Sequence, residues 1–239
     1  MGTICRMRLG SVAVTHVALV ASVAAPLSLV SGQALNHTVD EGTFLVSRGG
    51  APVGRESFRI SRLQSVSGEA YRATAQVALG DRRIVPTLTC DSTGAPVSYD
   101  VTVQGGPDPA RLQARARPGR FSSLLRTRDG ESTHEYVVPS GVVVIDDDVV
   151  HQLFFVTLGR RSGSLTILAP RTGFQAQATL EDRGAGTVVI DGNPIPATHF
   201  VLSAAGFARR EFWIDAAGRV LKVSIPDRGI IAQRDEAPR

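Results

Sequence analysis

The chain has 239 residues, 43% hydrophobic and 5% aromatic, with 26 basic and 22 acidic side chains and a formal net charge of +4. So few aromatics exclude the interfacial girdles of a transmembrane barrel. A lone cysteine outside the leader, Cys90, excludes an intrachain disulfide, and a chain this long buries about 70% of its unfolded surface without such a staple.

Residues 1–34 read as a secretory signal peptide. Arg6 and Arg8 form the positive n-region, an apolar run extends from Val12 to Val30, and Gly32-Gln33-Ala34 supplies the small residues of a cleavage site. The competing reading is a retained N-terminal anchor, which Pro26 and the many Ala and Ser residues disfavour. Arg6 and Arg8 also carry two of the four excess positive charges, so residues 35–239 are near balance at +2. Cleavage implies a periplasmic or secreted protein.

From Thr43 the chain alternates with a period of two, the signature of half-buried strands. Thr43 to Arg48 and Val53 to Ile60 flank a Gly49-Gly50 turn. Tyr71, Ala73, Ala75, Val77 and Leu79 share one face of a strand. Gly80-Asp81 and Asp91-Ser92-Thr93-Gly94 bound a strand from Ile84 to Cys90, where Cys90 reads as a small apolar residue. Val97, Tyr99, Val101 and Val103 form the next apolar row. Leu112 to Arg117 and Phe121 to Arg126 flank Pro118-Gly119, and Asp129-Gly130 leads to Thr133 to Val138.

The pattern breaks once. Asp146, Asp147 and Asp148 precede Val149, Val150, Leu153, Phe154 and Thr157, spaced by three and four, with Gly159 behind. Acids suit a helix N-terminus and glycine its C-terminal end, so one short helix is expected near 147–158. Strands resume at Leu165 to Leu168, Gly173 to Asp182, Thr187 to Ile190 and Ile195 to Ser203, with Gly184-Ala185-Gly186 read as a turn. Ala208 to Ile214 and Val220 to Ile225 close the series, and residues 233–239 read as a flexible tail. Residues 35–232 are therefore expected to form a single all-β domain, an antiparallel meander making a curved sheet, half-barrel or barrel. Trp213 alternates away from Phe212 and Ile214, which points it to the outer face.

Chemistry is sparsely signalled. His37, His134, His151 and His199 show no metal-ligand spacing, and His151 near the three aspartates is explained by helix capping. No G-x-S-x-G elbow or phosphate loop occurs, so no catalytic residue, metal or cofactor is assigned and no enzymatic activity is expected. Arg111, Arg115, Arg117, Arg120 and Arg126 oppose the apolar row of their hairpin, a basic ribbon suited to an anionic membrane surface or to a solvated strand face. Nucleic acid is not an expected partner, because no aromatics interleave with these arginines.

The Gly-Gly-x-Pro-Val-Gly turn within Phe44 to Phe58, the segment Cys90-Asp91 to Tyr99, the helix after Pro139, and the closing hairpin Phe212-Trp213-Ile214-Asp215 to Val223 resemble the uncharacterised periplasmic β-meander proteins of bacterial envelopes. These are distantly similar to the lipoprotein-localisation carriers, whose curved half-barrel holds acyl chains under a helical lid. The resemblance implies a curved sheet and a lipid or other amphipathic ligand in its concavity. The inward aromatics Tyr71, Tyr99, Phe154, Phe174, Phe200 and Phe212 are the expected lining. The alternative is a structural or assembly factor that binds an envelope protein.

Overall fold

The computed structural model describes residues 1–2, 36–65 and 68–239. The expected signal peptide and its cleavage site lie outside the described residues. Fifteen strands follow in chain order: β1 (Asn36–Arg48), β2 (Ala51–Ser65), β3 (Gly68–Leu79), β4 (Arg82–Asp91), β5 (Pro96–Gln104), β6 (Ala110–Arg117), β7 (Arg120–Thr127), β8 (Gly130–Val137), β9 (Val143–Val144), β10 (Gly163–Ala169), β11 (Phe174–Ile190), β12 (Asn193–Ala204), β13 (Phe207–Ile214), β14 (Val220–Ile225) and β15 (Ile230–Arg234). All belong to one sheet, ordered β8-β7-β6-β5-β4-β3-β2-β1-β15-β14-β13-β12-β11-β10-β9. Every ladder is antiparallel except the two-residue β9–β10 pair. The order is open, with β8 and β9 at its ends, so the all-β meander is a curved and unclosed one.

Alternation explains most of this. Tyr71, Ala73, Ala75 and Val77 are buried on β3, and Leu112 and Ala114 on β6, while the intervening residues face out. Glycines serve the turns, as at Gly49-Gly50, where both φ angles are positive. Pro86 lies inside β4, and the β3–β4 register skips Ala75 and Gln76 opposite Val85 and Pro86, as expected where a strand lacks an N–H.

Three expectations are corrected. Gly184-Ala185-Gly186 is not a hairpin turn: β11 runs through it as one strand of 17 residues, with a bulge between Asp182 and Ala185. Gly184, at φ +88°, supplies the bulge conformation. Gln233 and Arg234 are not tail: β15 runs to Arg234 and pairs β1 on one side and β14 on the other. Asp146–Asp148 do not begin a helix. A 3₁₀ turn spans His151–Leu153 and continues into α1 (Phe154–Thr157), and neither N-cap residue, Val150 or Leu153, caps with its own side chain. Among the described residues the one α-helix falls within the expected stretch, and Gly159 follows it at φ +71°.

The segment from Val142 to Val156 enters the concavity. Val142, Val143, Val144, Ile145, Val149, Leu153, Phe154, Phe155 and Val156 are all buried in the main core with the inward rows of the sheet. Gly94 lies under this segment: a Cβ there would stand 3.3 Å from Leu158 Cδ2. A second, smaller cluster forms on the outer face, where Val188, Ile190 and Ala197 of the β11–β12 hairpin pack with Leu221 and Trp213. Trp213 thus sits on the outer face as alternation indicates. It stacks flat on His199 at 4.4 Å, and the Gln233 amide on β15 donates to the Val189 carbonyl at 2.9 Å.

Candidate functional site

A charged group carried inward needs a partner, because an unpaired buried charge is far costlier than a buried methylene. Two anchors fasten the inserted segment. At the first, Glu56 of β2 is fully buried and accepts the N–H groups of Val150 at 2.7 Å and His151 at 2.9 Å. His151 Nδ1 donates to the same carboxylate at 2.7 Å, and its ring stacks on Phe58. A strand residue therefore satisfies amide groups that the 3₁₀ turn leaves open. His151 Nε2 has no hydrogen-bond partner and is sealed from solvent, so the pair acts as a clamp.

The second anchor is ionic. Asp146, 1% exposed, accepts the Tyr99 hydroxyl at 2.8 Å and a two-pronged contact from Arg171, with Nε at 2.9 Å and Nη2 at 2.5 Å. Arg171 also reaches Asp148 at 2.6 Å, where Arg82 of β4 joins at 2.8 Å. Asp147 holds Arg210 of β13 at 3.0 Å and Arg228 at 3.2 Å. Three successive aspartates thus gather four arginines from distant parts of the sheet. Burial alone would raise the Asp148 carboxyl, but Arg171 and Arg82 outweigh it and hold it below the ordinary range. Burial pushes Arg210 down to about 10 despite Asp147. A further buried pair, Arg234–Asp40 at 2.5 Å, lies under the Phe44–Phe58 stack at the β1–β15 seam.

Tyr71, Tyr99, Phe154, Phe200 and Phe212 are in the packed core, and Phe174 is packed against it. They do not form one lining. Tyr71 meets Phe154 edge-on at 6.0 Å, Phe200 stacks on Phe212 at 5.6 Å, and Phe174 stacks on Phe207 at 5.8 Å. Among the described residues, five surface clefts of about 270 to 470 Å³ open; Phe200 borders one of these five, and the other five aromatics border none of them. Cys90 is buried, and desolvation followed by the Asp91 charge pushes its thiol up, away from reactivity. Among the described residues no cluster of His, Cys, Asp or Glu is placed to hold a metal ion.

Arg111, Arg115, Arg117, Arg120 and Arg126 are all exposed on the outer face of β6 and β7. Neighbouring acids temper them: Arg115 pairs Asp100 at 2.9 Å, Arg120 pairs Glu135 at 3.0 Å, and Arg126 pairs Glu131 at 2.6 Å. Sequence reasoning missed Glu56, Arg82, Arg210 and Arg234. Their signal was position: each shares the apolar phase of its strand, as Glu56 does with Phe58 and Ile60 and Arg210 with Phe212 and Ile214.

No family model matches the chain, and no curated protein does. Among solved structures it is similar to the crystal structure of a beta-barrel-like protein of domain of unknown function DUF1849 from Brucella abortus, at 11% identity and a TM-score of 0.50, over 83% of this chain and 97% of that one. At that identity the likeness shows a shared barrel-like fold. It agrees with the expectation of an uncharacterised β domain.

Proposed function

We propose that the chain is an exported envelope protein without catalytic activity, a scaffold that holds a protein partner on the outside of its sheet. The observation that carries this reading is the filled concavity. Val142 to Val156 take the space where an acyl chain would lie, and Glu56 and four arginines hold them there. An amphipathic ligand would have to displace a buried apolar segment and break that ionic anchor. Binding on the outer face asks for neither.

Native mass spectrometry after detergent-free purification should give the mass of the bare polypeptide. A photo-crosslinking residue at Leu45, 55% exposed on β1, or at Val137, 65% exposed on β8, should give a discrete protein adduct in the native cell. A stoichiometric lipid carried through purification, or no protein adduct from either position, would refute the scaffold.

A further inference from the structure

The sheet has two ends, and they are treated differently. β9 is two residues long and wholly buried, which hides its free edge. β8 has eight residues, all exposed except Tyr136, and among the described residues pairs only β7. It contains no proline, and its ladder with β7 is regular from Arg120↔Val137 to Thr127↔Gly130. Proteins commonly guard such an edge with a bulge, a proline, charged side chains or a covering element. The acids of β8, Glu131 and Glu135, are already bonded to Arg126 and Arg120.

The hydrogen-bond phase of this edge can be read off. The Val138 N–H bonds the Gly119 carbonyl, in register with the ladder, so Tyr136, His134 and Ser132 turn their backbone groups to β7. Glu131, Thr133, Glu135 and Val137 turn theirs outward. The Val137 carbonyl is held by the Gln175 side chain at 2.8 Å. The outward N–H and C=O groups of Glu131, Thr133 and Glu135 have no partner among the described residues. Such a row is complementary to an extended backbone.

We propose that β8 receives a sixteenth strand: an extended segment of another protein with lysine or arginine at the two positions opposite Glu131 and Glu135. This deepens the scaffold reading and rests on it. A second copy of the chain fits poorly. Two-fold pairing about Thr133 sets Glu131 against Glu135 twice, and pairing about Ser132 sets Asp129 against Glu135. Pairing about His134 needs the carbonyl that Gln175 holds. Like charges opposite one another disfavour a pair, and opposite charges favour it. Each carboxylate keeps acceptor capacity beyond its bond to arginine, so the edge discriminates by charge.

The test uses an acetylated, amidated Thr-Lys-Thr-Val-Thr-Lys-Thr peptide and its counterpart with Glu in place of Lys, followed by amide exchange and NMR titration of the full chain. Without peptide, the amides of Glu131, Thr133 and Glu135 should exchange fast while Ser132, His134 and Tyr136 are protected. The Lys peptide should protect the first set and bind about tenfold tighter than the Glu peptide, two cross-strand charge pairs accounting for the difference. Thr133→Pro removes an outward N–H without touching the β7 ladder and should abolish binding with little change in Tm. The combined Glu131→Gln and Glu135→Gln variant should bind both peptides alike. Outward amides that are free yet unaffected by millimolar Lys peptide would overturn the proposal, as would a wild-type dimer that Thr133→Pro dissociates. If crosslinking to a cellular partner survives in Thr133→Pro, the edge is wrong and the scaffold reading stands.

Discussion

Replacing Arg171 with Met tests the ionic anchor directly. The guanidinium makes the two-pronged contact to Asp146 and a further bond to Asp148, and its side chain is only 15% exposed. Met keeps much of the volume and removes the charge. Asp146 then retains the Tyr99 hydroxyl and the Asp148 N–H at 3.2 Å but no cation. Stranding one member of a buried pair costs about 3–5 kcal/mol, which for a domain of this size lowers Tm by about 6–20 °C. Urea denaturation of wild type, Arg171→Met, Asp146→Asn and the double variant gives the coupling. The double variant should recover at least about 1.5 kcal/mol of the sum of the singles. The exposed Arg59–Glu41 pair is the control and should change stability by less than about 1 kcal/mol when broken. An Arg171→Met loss below about 1 kcal/mol, or additivity across the cycle, would refute the anchor.

Three further outcomes follow from the same structure. Phe155→Ala should cost about 3–5 kcal/mol in chemical denaturation, because its ring is fully buried in the inserted segment; a loss near zero would mean that the segment does not pack the concavity. Asp148 has a folded pKa below its unfolded value of 3.8, so its contribution is complete above that value and is lost as pH falls further. The acid slope of Tm below about pH 4 should be shallower in Asp148→Asn than in wild type, and equal slopes would contradict the assignment. Gly54→Ala would bring a Cβ to 1.9 Å from the Ala78 carbonyl oxygen, so β2 and β3 must part there. Its expected cost of about 1–3 kcal/mol should appear in thermal melts together with faster amide exchange along β3, and a neutral effect would put the strand spacing in error.

Alternation made the strands legible, because each turns one row inward and one outward. It also held more than it was asked for. Glu56, Arg82, Arg210 and Arg234 interrupt apolar rows, and a charge on the inward phase can persist only beside a partner. Those partners are out of reach of local pattern. Asp146–Asp148 have the composition of a helix N-terminus, and nothing nearby in sequence reveals that arginines from β4, β13 and the β10–β11 turn converge on them. β15 escaped for a related reason. It is five residues long, and its inward row of Ile230, Ala232 and Arg234 ends on a charge that looks like tail. The order of the strands at the seam is equally non-local, since Phe44 faces Arg234 across nearly the whole chain. The six aromatics lie in the core or against it, and neither the strand period nor a helix face can tell a lining from a filling.

The meeting of β1 and β15 in the middle of the sheet has a consequence for how the chain folds. Every other antiparallel pair joins strands adjacent in sequence, so two separate meanders can grow from local hairpins. The ladder that unites them waits until β15 is free to pair with β1. Until then β1 and β14 each present an open edge, and the chain is most vulnerable to pairing with a neighbour. A chain stopped just after β14 would never pass that point. The middle of the sheet is thus the part that forms last.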